Sequence, residues 1–338
     1  MKNIKKNTII LLAITIIVLF IVLKDNFILV LNNITNINHF WLSVSVVFIV
    51  IYWLFQALSL YTITKEYSKK IKFKNIYKQT LITQFFNGVT PFSTGGQPIS
   101  IYMLTKSKIK ATHATNIVLQ NFILYQSALI SVGTIALLIN WRLNLFVDVP
   151  ILKSFIVLGF LINIFVGIAL LFVCFSTKFN KKVIFNTIDI LGKIKLIKNI
   201  NQKKLRWERR INEFHNSALL LKERKEIFIK GYVYNLLSLI SMYIIPLFIL
   251  FSLNDFNNLN IVNTIVTSAY VLIMGAFVPI PGGSGGIEYG YMQLFGNFIS
   301  GHILSTSLLL WRFITYYLGI LIGGIVLNLS KGGNKKWE

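Results

Sequence analysis

Two side chains of opposite charge stand in apolar sequence near the C-terminal end of the chain. Glu288 follows the glycine-rich run Gly282–Gly286, where a helix would begin, and Arg312 lies in the apolar stretch Leu308–Phe313. An arginine left unpaired deep in a membrane would cost at least about 2.5–3.5 kcal/mol. We therefore expect Arg312 to pair with Glu288, to contact the phosphate of a lipid, or to do both in turn. Its planar guanidinium suits phosphate because it donates two parallel hydrogen bonds.

Both residues also have a purely structural interpretation. A carboxylate in the first turn of a helix is favoured by the helix dipole, so Glu288 would serve as a simple cap. The Glu288–Arg312 pair would then only hold the last helix in place. Because ionisable residues inside a membrane are functional candidates by default, both interpretations stay open at this point.

Polar and small residues also gather where proline and glycine interrupt the hydrophobic sequence. Gln97 follows a glycine pair, and its amide either satisfies freed backbone groups or donates to a headgroup. Nearby hydroxyls either cap the backbone locally or bind a ligand, and glycine pairs can present backbone amides as an anion nest. The residues that we assign to substrate binding are Gln97, Glu288, Arg312, Thr90, Ser93, Gly95, Gly96, Gly283, Ser284 and Gly285.

The composition is that of a membrane protein. The 338 residues are 55% hydrophobic and 13% charged, whereas soluble domains average about 25% charged residues. The net charge of +23 fits basic loops that face anionic lipid, and no RNA-binding motif supports direct binding of nucleic acid. One cysteine and four scattered histidines predict neither a metal site nor a cofactor. No catalytic motif such as GxSxG or a Walker sequence is present, so we assign no catalytic residue.

Long apolar stretches predict an all-α polytopic protein, a single integral membrane domain over residues 1–338. A span needs about 20 mostly apolar residues. The N-terminal stretch has no cleavage site after it and is interpreted as an uncleaved first span. The six full spans are predicted at Thr8–Leu23, Phe40–Thr64, Thr115–Ile139, Ile151–Phe175, Ile227–Ser252 and Ile303–Leu329.

Two glycine- and proline-rich segments, which we call the first break (Asn87–Pro98) and the second break (Val278–Glu288), cannot be ordinary helix interiors. Lysine clusters flank the region Ile76–Leu104 on both sides, which places both of its ends in the cytoplasm. That region is too short for two spans, so we predict a re-entrant hairpin. The region Ile261–Gly301 begins and ends outside, as a hairpin or as two short spans. The breaks thus enter from opposite faces, an inverted topology typical of transporters.

A basic loop, residues 176–226, separates the fourth predicted span from the fifth. It carries apolar residues at helical spacing, which predicts an amphipathic helix at the cytoplasmic interface. Such a loop either binds lipid or only determines topology while it packs on the bundle. The residues that carry the apolar pattern are Trp207, Ile211, Phe214, Ala218 and Leu221.

Three motifs resemble one known family. Thr90–Pro98 (TPFSTGGQP), Pro279–Glu288 (PIPGGSGGIE) and Trp311–Tyr317 (WRFITYY) are similar to the transmembrane region of lysylphosphatidylglycerol synthase/flippase (MprF-like) proteins. The likeness covers essentially the whole chain. It implies a multi-pass bacterial membrane protein that binds or translocates phospholipid. Family members are commonly named phosphatidylglycerol lysyltransferases and are linked to resistance to cationic antimicrobial peptides.

The resemblance leaves three functional hypotheses. The first is a flippase or lipid-binding transporter for an anionic or aminoacylated phospholipid. The second is lysyl transfer to phosphatidylglycerol, but the soluble C-terminal synthase domain of the bifunctional members is not seen before the sequence ends at Glu338. The third is a membrane anchor for a separate synthase. We further expect a bacterial cell membrane location with both termini in the cytoplasm, and either a homo-oligomer or a complex with such a synthase.

Overall fold

The computed structural model describes residues 35–146, 150–194, 199–222, 224–275 and 278–332. Within these ranges the chain forms helices joined by turns, without a strand, so the predicted all-α class is confirmed. The helices are α1 (His39–Tyr67), α2 (Phe73–Gly88), α3 (Gly96–Lys106), α4 (Ala111–Leu143), α5 (Pro150–Phe175), α6 (Thr177–Lys193), α7 (Ile200–Lys222), α8 (Lys225–Tyr243), α9 (Ile245–Ser252), α10 (Ile261–Gly275), α11 (Gly286–Phe295), α12 (Gly301–Arg312) and α13 (Leu318–Gly332).

Five helical stretches are long and apolar enough to cross a membrane. Two of them are composite: α8 continues into α9 past Pro246, and α12 continues into α13 through a π-helical turn at Phe313–Tyr317. The predicted first span, Thr8–Leu23, lies outside the described residues. The number of spans and their sidedness stay predictions. The five stretches are His39–Tyr67, Ala111–Leu143, Leu152–Phe175, Lys225–Ser252 and Gly301–Ser330.

Two pairs of shorter helices flank the breaks. The helices α2 and α3 pack on each other, and so do α10 and α11. Their lengths are 16 and 11 residues in the first pair and 15 and 10 in the second, all below the roughly 20 residues that a span requires. Each pair is therefore too short for two full spans, and its two helices pack on each other beside the break. The loop of the first break comprises residues 89–95. Gln97 and Pro98, which the sequence placed in that break, therefore lie in the first helical turn of α3.

Large buried side chains and interhelical hydrogen bonds hold the bundle together. The helix α1 packs against α2, α8 and α9, while α10 packs against α4, α5 and α11. Asn235 Nδ2 donates to Ser59 Oγ over 2.7 Å, and Ser59 donates to Asn121 over 2.7 Å, which joins α8, α1 and α4. Such contacts suit a membrane protein, where helix association depends on close packing and polar contacts. The largest fully buried aromatic side chains are Trp53, Tyr243, Tyr270, Tyr291 and Phe295.

The basic loop contains two helices, α6 and α7, that pack on each other. On α7, Ile211 and Ala218 are buried and Trp207 is more exposed, while the side chain of Leu221 lies outside the described part. The carbonyl of Phe214 accepts a hydrogen bond from the Asn116 side chain of α4 over 2.7 Å. The helix α7 is therefore docked on the bundle.

Candidate functional site

The centre of the second break, Pro281–Ser284, is buried, and its backbone conformation favours glycine. Its 3-10 turn, Pro281–Gly283, has φ of +66° at Gly282 and +62° at Gly283, in the left-handed region that side chains disfavour. A Cβ at Gly282 would collide with the ring of Tyr316. The turn leads into α11, whose first turn carries Glu288.

Glu288 and Arg312 form a buried ion pair at this break. Arg312 Nη2 lies 2.7 Å from Glu288 Oε1, and the two residues are only 5% and 6% exposed. The same Nη2 donates to the Gly282 carbonyl over 3.1 Å and to Ser284 Oγ over 3.3 Å. The second carboxylate oxygen of Glu288 accepts the amide of Gly285 over 2.6 Å. Glu288 is therefore both a helix cap and the partner of Arg312, while binding of a lipid headgroup by the pair stays a prediction.

The second break combines a neutral ion pair with a helix terminus. Glu288 balances the charge of Arg312, and α11 starts beside the pair with the positive end of its dipole. Within the described part of the chain, Arg312 Nε is buried without a hydrogen-bond partner. Open space lies beside Gly285, where an added Cβ would meet nothing within 4 Å. An N–H group buried without a partner costs free energy comparable to a lost hydrogen bond, so this donor is available for an incoming acceptor.

Tyr316 joins the second break to the first. Its ring lies 4.6 Å from the guanidinium carbon of Arg312, within the range of a cation–π contact. Its hydroxyl donates to the Gly88 carbonyl at the end of α2 over 2.7 Å. The π-helical turn that follows Arg312 contains Tyr316, and such turns recur at functional sites. The sequence analysis assigned no role to Tyr316, although an aromatic residue four positions after a membrane arginine could have indicated one.

The first break is held by its own side chains. Thr90 Oγ1 donates to the Phe86 carbonyl over 2.7 Å and accepts the Gly95 amide over 2.8 Å. Asn87 Oδ1 accepts the Gly96 amide over 2.8 Å, a role that the sequence interpretation did not give to Asn87. Both glycine amides thus donate hydrogen bonds to side chains of the same break, which act as local caps.

The second break also contains a local hydrogen bond of this kind, because the Ser284 hydroxyl donates to the Pro281 carbonyl over 3.0 Å.

The remaining predicted site residues differ in exposure. Ser93 is exposed and has φ of +53°. Gln97 is half-buried, and its Oε1 is a buried acceptor without a partner in the described residues. Gly283 is buried and Gly285 is exposed. Gln97 thus offers an unpaired acceptor beside the first break, as Arg312 offers an unpaired donor beside the second.

The two breaks meet. The turn Pro91–Ser93 and the turn Pro281–Gly283 have Cα atoms within 8 Å of each other, and α2 also contacts the second turn. The structure therefore brings Glu288, Arg312, Ser284 and Gly283 together, and Tyr316 links that group to the end of α2. An all-helical, multi-pass membrane protein in which two broken helical hairpins meet at a buried ion pair is the class that this fold and site define.

Comparison with known proteins places the chain within that class. The family described as the lysylphosphatidylglycerol synthase TM region matches residues 8–323, and the chain belongs to it. The chain is also similar to a UPF0104 membrane protein of Archaeoglobus fulgidus. The two are 24% identical over 302 residues, which covers 86% of this chain and 87% of that protein.

Proposed function

We propose that this protein is a phospholipid flippase or lipid-binding transporter whose substrate is an anionic or aminoacylated phospholipid such as (lysyl-)phosphatidylglycerol. The observation that carries the proposal is the contact between two broken hairpins at the Glu288–Arg312 pair. Broken helices that meet in this way form the substrate sites of many transporters. The family description, which names a lysylphosphatidylglycerol synthase region, favours this class of lipid.

In this proposal the headgroup binds where the second break opens beside Gly285. A phosphate oxygen accepts from Arg312 Nε, the donor that is otherwise without a partner. The N-terminus of α11 adds favourable charge for the anion. For a lysyl-bearing headgroup, Glu288 attracts the ammonium while it still accepts the Gly285 amide. The acyl chains stay in the bilayer as the headgroup moves.

The proposed setting is the bacterial cell membrane with both termini in the cytoplasm, as the basic loops favour. Exposure of a cationic lipid on the outer leaflet would reduce the attraction of cationic antimicrobial peptides. Deletion of the protein should then increase killing by such peptides, and a deletion strain with unchanged sensitivity would contradict this physiological role.

A reconstitution assay tests the molecular activity. Proteoliposomes with fluorescent phosphatidylglycerol or lysylphosphatidylglycerol report movement between leaflets. We expect Arg312→Lys to slow movement at least several-fold, because a lysine supplies charge without the Nε–H. Glu226→Gln, at an exposed carboxylate, is the matched control and should leave the rate unchanged. Wild-type rates in both Arg312→Lys and Glu288→Gln would refute the assignment of these residues.

A double variant separates transport from structure. A buried ion pair that is only structural can often be replaced by apolar residues of similar volume without loss of stability. Glu288→Leu with Arg312→Met should therefore fold, and by our proposal it should not move lipid. Retained lipid movement in the folded double variant would show that the pair is structural only.

The family description also keeps lysyl transfer as a second candidate. That activity predicts lysyl-lipid from the purified protein, lysyl-tRNA and phosphatidylglycerol. The absence of product under conditions in which a known synthase is active would end this alternative. A synthase anchored through the basic loop would instead co-purify with the full protein and be lost when residues 177–222 are deleted.

A further inference from the structure

The helix α6 has two apolar faces, and only one of them is covered by the protein. Ile188 is 4% exposed, whereas Phe179, Val183 and Ile190 of α6, and Ile194 directly after it, are 43%, 47%, 59% and 57% exposed. At about 100° per residue these four lie within about 60° of one another, on the side opposite Ile188. We call these four residues the outer stripe.

Ion pairs fix which side of α6 faces the protein. Lys181 pairs with Glu208 of α7 at 2.7 Å, and Asp189 pairs with Lys204 of α7 at 2.7 Å. The outer stripe therefore points away from α7 by the geometry of the helix. The lysines Lys178, Lys182 and Lys193 are exposed and lie along one edge of the stripe.

The outer stripe continues the membrane-facing surface of α5. Ser176 alone separates the two helices, and it caps α6 by accepting the Phe179 amide over 3.2 Å. Phe172 on α5 is 56% exposed, and its ring centroid lies 6.2 Å from that of Phe179. Earlier residues of α5 expose apolar side chains in the same way, notably Phe165 at 73%. Because α5 is the most hydrophobic of the five candidate spans and only 17% of its apolar stretch is buried within the protein, its exposed surface is suited to lipid.

We propose that α6 lies in the headgroup layer of the membrane, with the outer stripe among the acyl chains and its lysine edge on anionic phospholipid. An exposed apolar face beside cationic side chains is the pattern of a helix that lies in the interface plane. Lysines near such a surface attract anionic lipid. A bilayer covers the stripe without any further protein, since α5 already brings it to the membrane boundary. The site is separate from the ion pair of the second break.

Spin labels in the full protein test this placement. The chain has one cysteine, Cys174, which is buried, so Cys174→Ser provides a background for single labels at Val183→Cys and Ile190→Cys. Should Cys174→Ser not fold, the native Cys174 can stay, because its burial protects it from the label. Arg206→Cys, on the exposed surface of α7, is the matched control.

In vesicles of phosphatidylglycerol and phosphatidylcholine, we expect the Val183 and Ile190 labels to be accessible to oxygen and shielded from a water-soluble nickel chelate. The Arg206 label should show the reverse. Replacing Lys178, Lys182 and Lys193 by Gln should make the Val183 and Ile190 labels several-fold more accessible to the nickel chelate. Vesicles of phosphatidylcholine alone should raise this accessibility in the same way. Nickel accessibility equal to that of the control in anionic vesicles would overturn the proposal. Shielding from both reagents would also overturn it, because a protein partner or second copy would then cover the stripe.

Discussion

The first break and the second break both reverse a helical hairpin, but only one of them is built around charge. Residues Pro91–Thr94 of the first break are exposed, whereas Pro281–Ser284 of the second break are buried. The first break satisfies its freed amides with the neutral side chains of Thr90 and Asn87. The second uses the carboxylate of Glu288, which then requires Arg312.

This difference shows how the environment of a helix break selects its chemistry. An exposed turn tolerates imperfect geometry, and in the first break the non-glycine residues Phe92 and Ser93 both have φ of +53°. A buried turn has to satisfy its freed backbone groups inside the protein, and the absence of a side chain at Gly282 allows the close approach of Tyr316. In the proposed function, charge recognition therefore belongs to the second break, while the first break contributes neutral side chains.

The largest effect should come from breaking the ion pair on one side only. Arg312→Met leaves Glu288 buried without its cation and should lower the free energy of unfolding by about 3–5 kcal/mol. Unfolding in detergent measures the change. The double variant with Glu288→Leu should recover most of the loss. A single variant as stable as the parent would mean that water or another cation replaces Arg312, and the charged character of the second break would lose its importance.

A methyl group added to the second break should lower the free energy of unfolding by less than the loss of the ion pair does. Gly282→Ala forces a left-handed backbone and pushes against Tyr316, which together should cost about 2–3 kcal/mol. The matched control is Gly301→Ala, where φ is +60° but an added Cβ meets nothing within 4 Å. Comparison of the two unfolding free energies isolates the contact with Tyr316. Equal losses would show that the close packing of the second break contributes nothing.

Removal of the Tyr316 hydroxyl, which links the two breaks, should lower the free energy of unfolding by an intermediate amount. Tyr316→Phe removes the donor to the Gly88 carbonyl while the ring keeps its place over Arg312. We expect a loss of about 1–2 kcal/mol, since a buried carbonyl loses its partner. Tyr102→Phe, at a tyrosine of α3 whose side chain is 54% exposed, is the control for the removal of a hydroxyl. Hydrogen exchange at the end of α2 should increase in the Tyr316 variant alone, and unchanged exchange there would contradict a link between the breaks.

The smallest effect, and one of opposite sign, is expected in the first break. Ser93→Gly relieves a left-handed serine at an exposed position and should stabilise the protein by roughly 0.5–1 kcal/mol. The added freedom of glycine in the unfolded chain offsets part of that relief. A thermal unfolding series against Gly282→Ala would then show changes of opposite sign at the two breaks. Destabilisation by Ser93→Gly would mean that this side chain has a partner in the membrane.

Much of the fold follows from local sequence features. Apolar stretches of sufficient length predict helices α1, α4 and α5, and a helix at each such stretch is what the structure contains. Proline and glycine predict interruption near residues 87–98 and 278–288, because both disfavour helix interiors. The length of the intervening segments predicts a re-entrant hairpin at the first break and either a hairpin or two short spans at the second. The sequence also offered Glu288 as one partner of Arg312, because an arginine left unpaired in a membrane is costly.

Other features depend on how the helices pack, and local sequence carries no record of that. Tyr316 and Gly88 are 228 positions apart, and their hydrogen bond exists only because α13 lies against α2. The hydrogen bonds that the Gly95 and Gly96 amides donate to Thr90 and Asn87 likewise depend on the path of the chain between α2 and α3. Sequence by itself determined where the helices break and which charges they carry. Tertiary structure decided that the breaks meet and that only one is buried, because burial is a property of the neighbours that surround a residue.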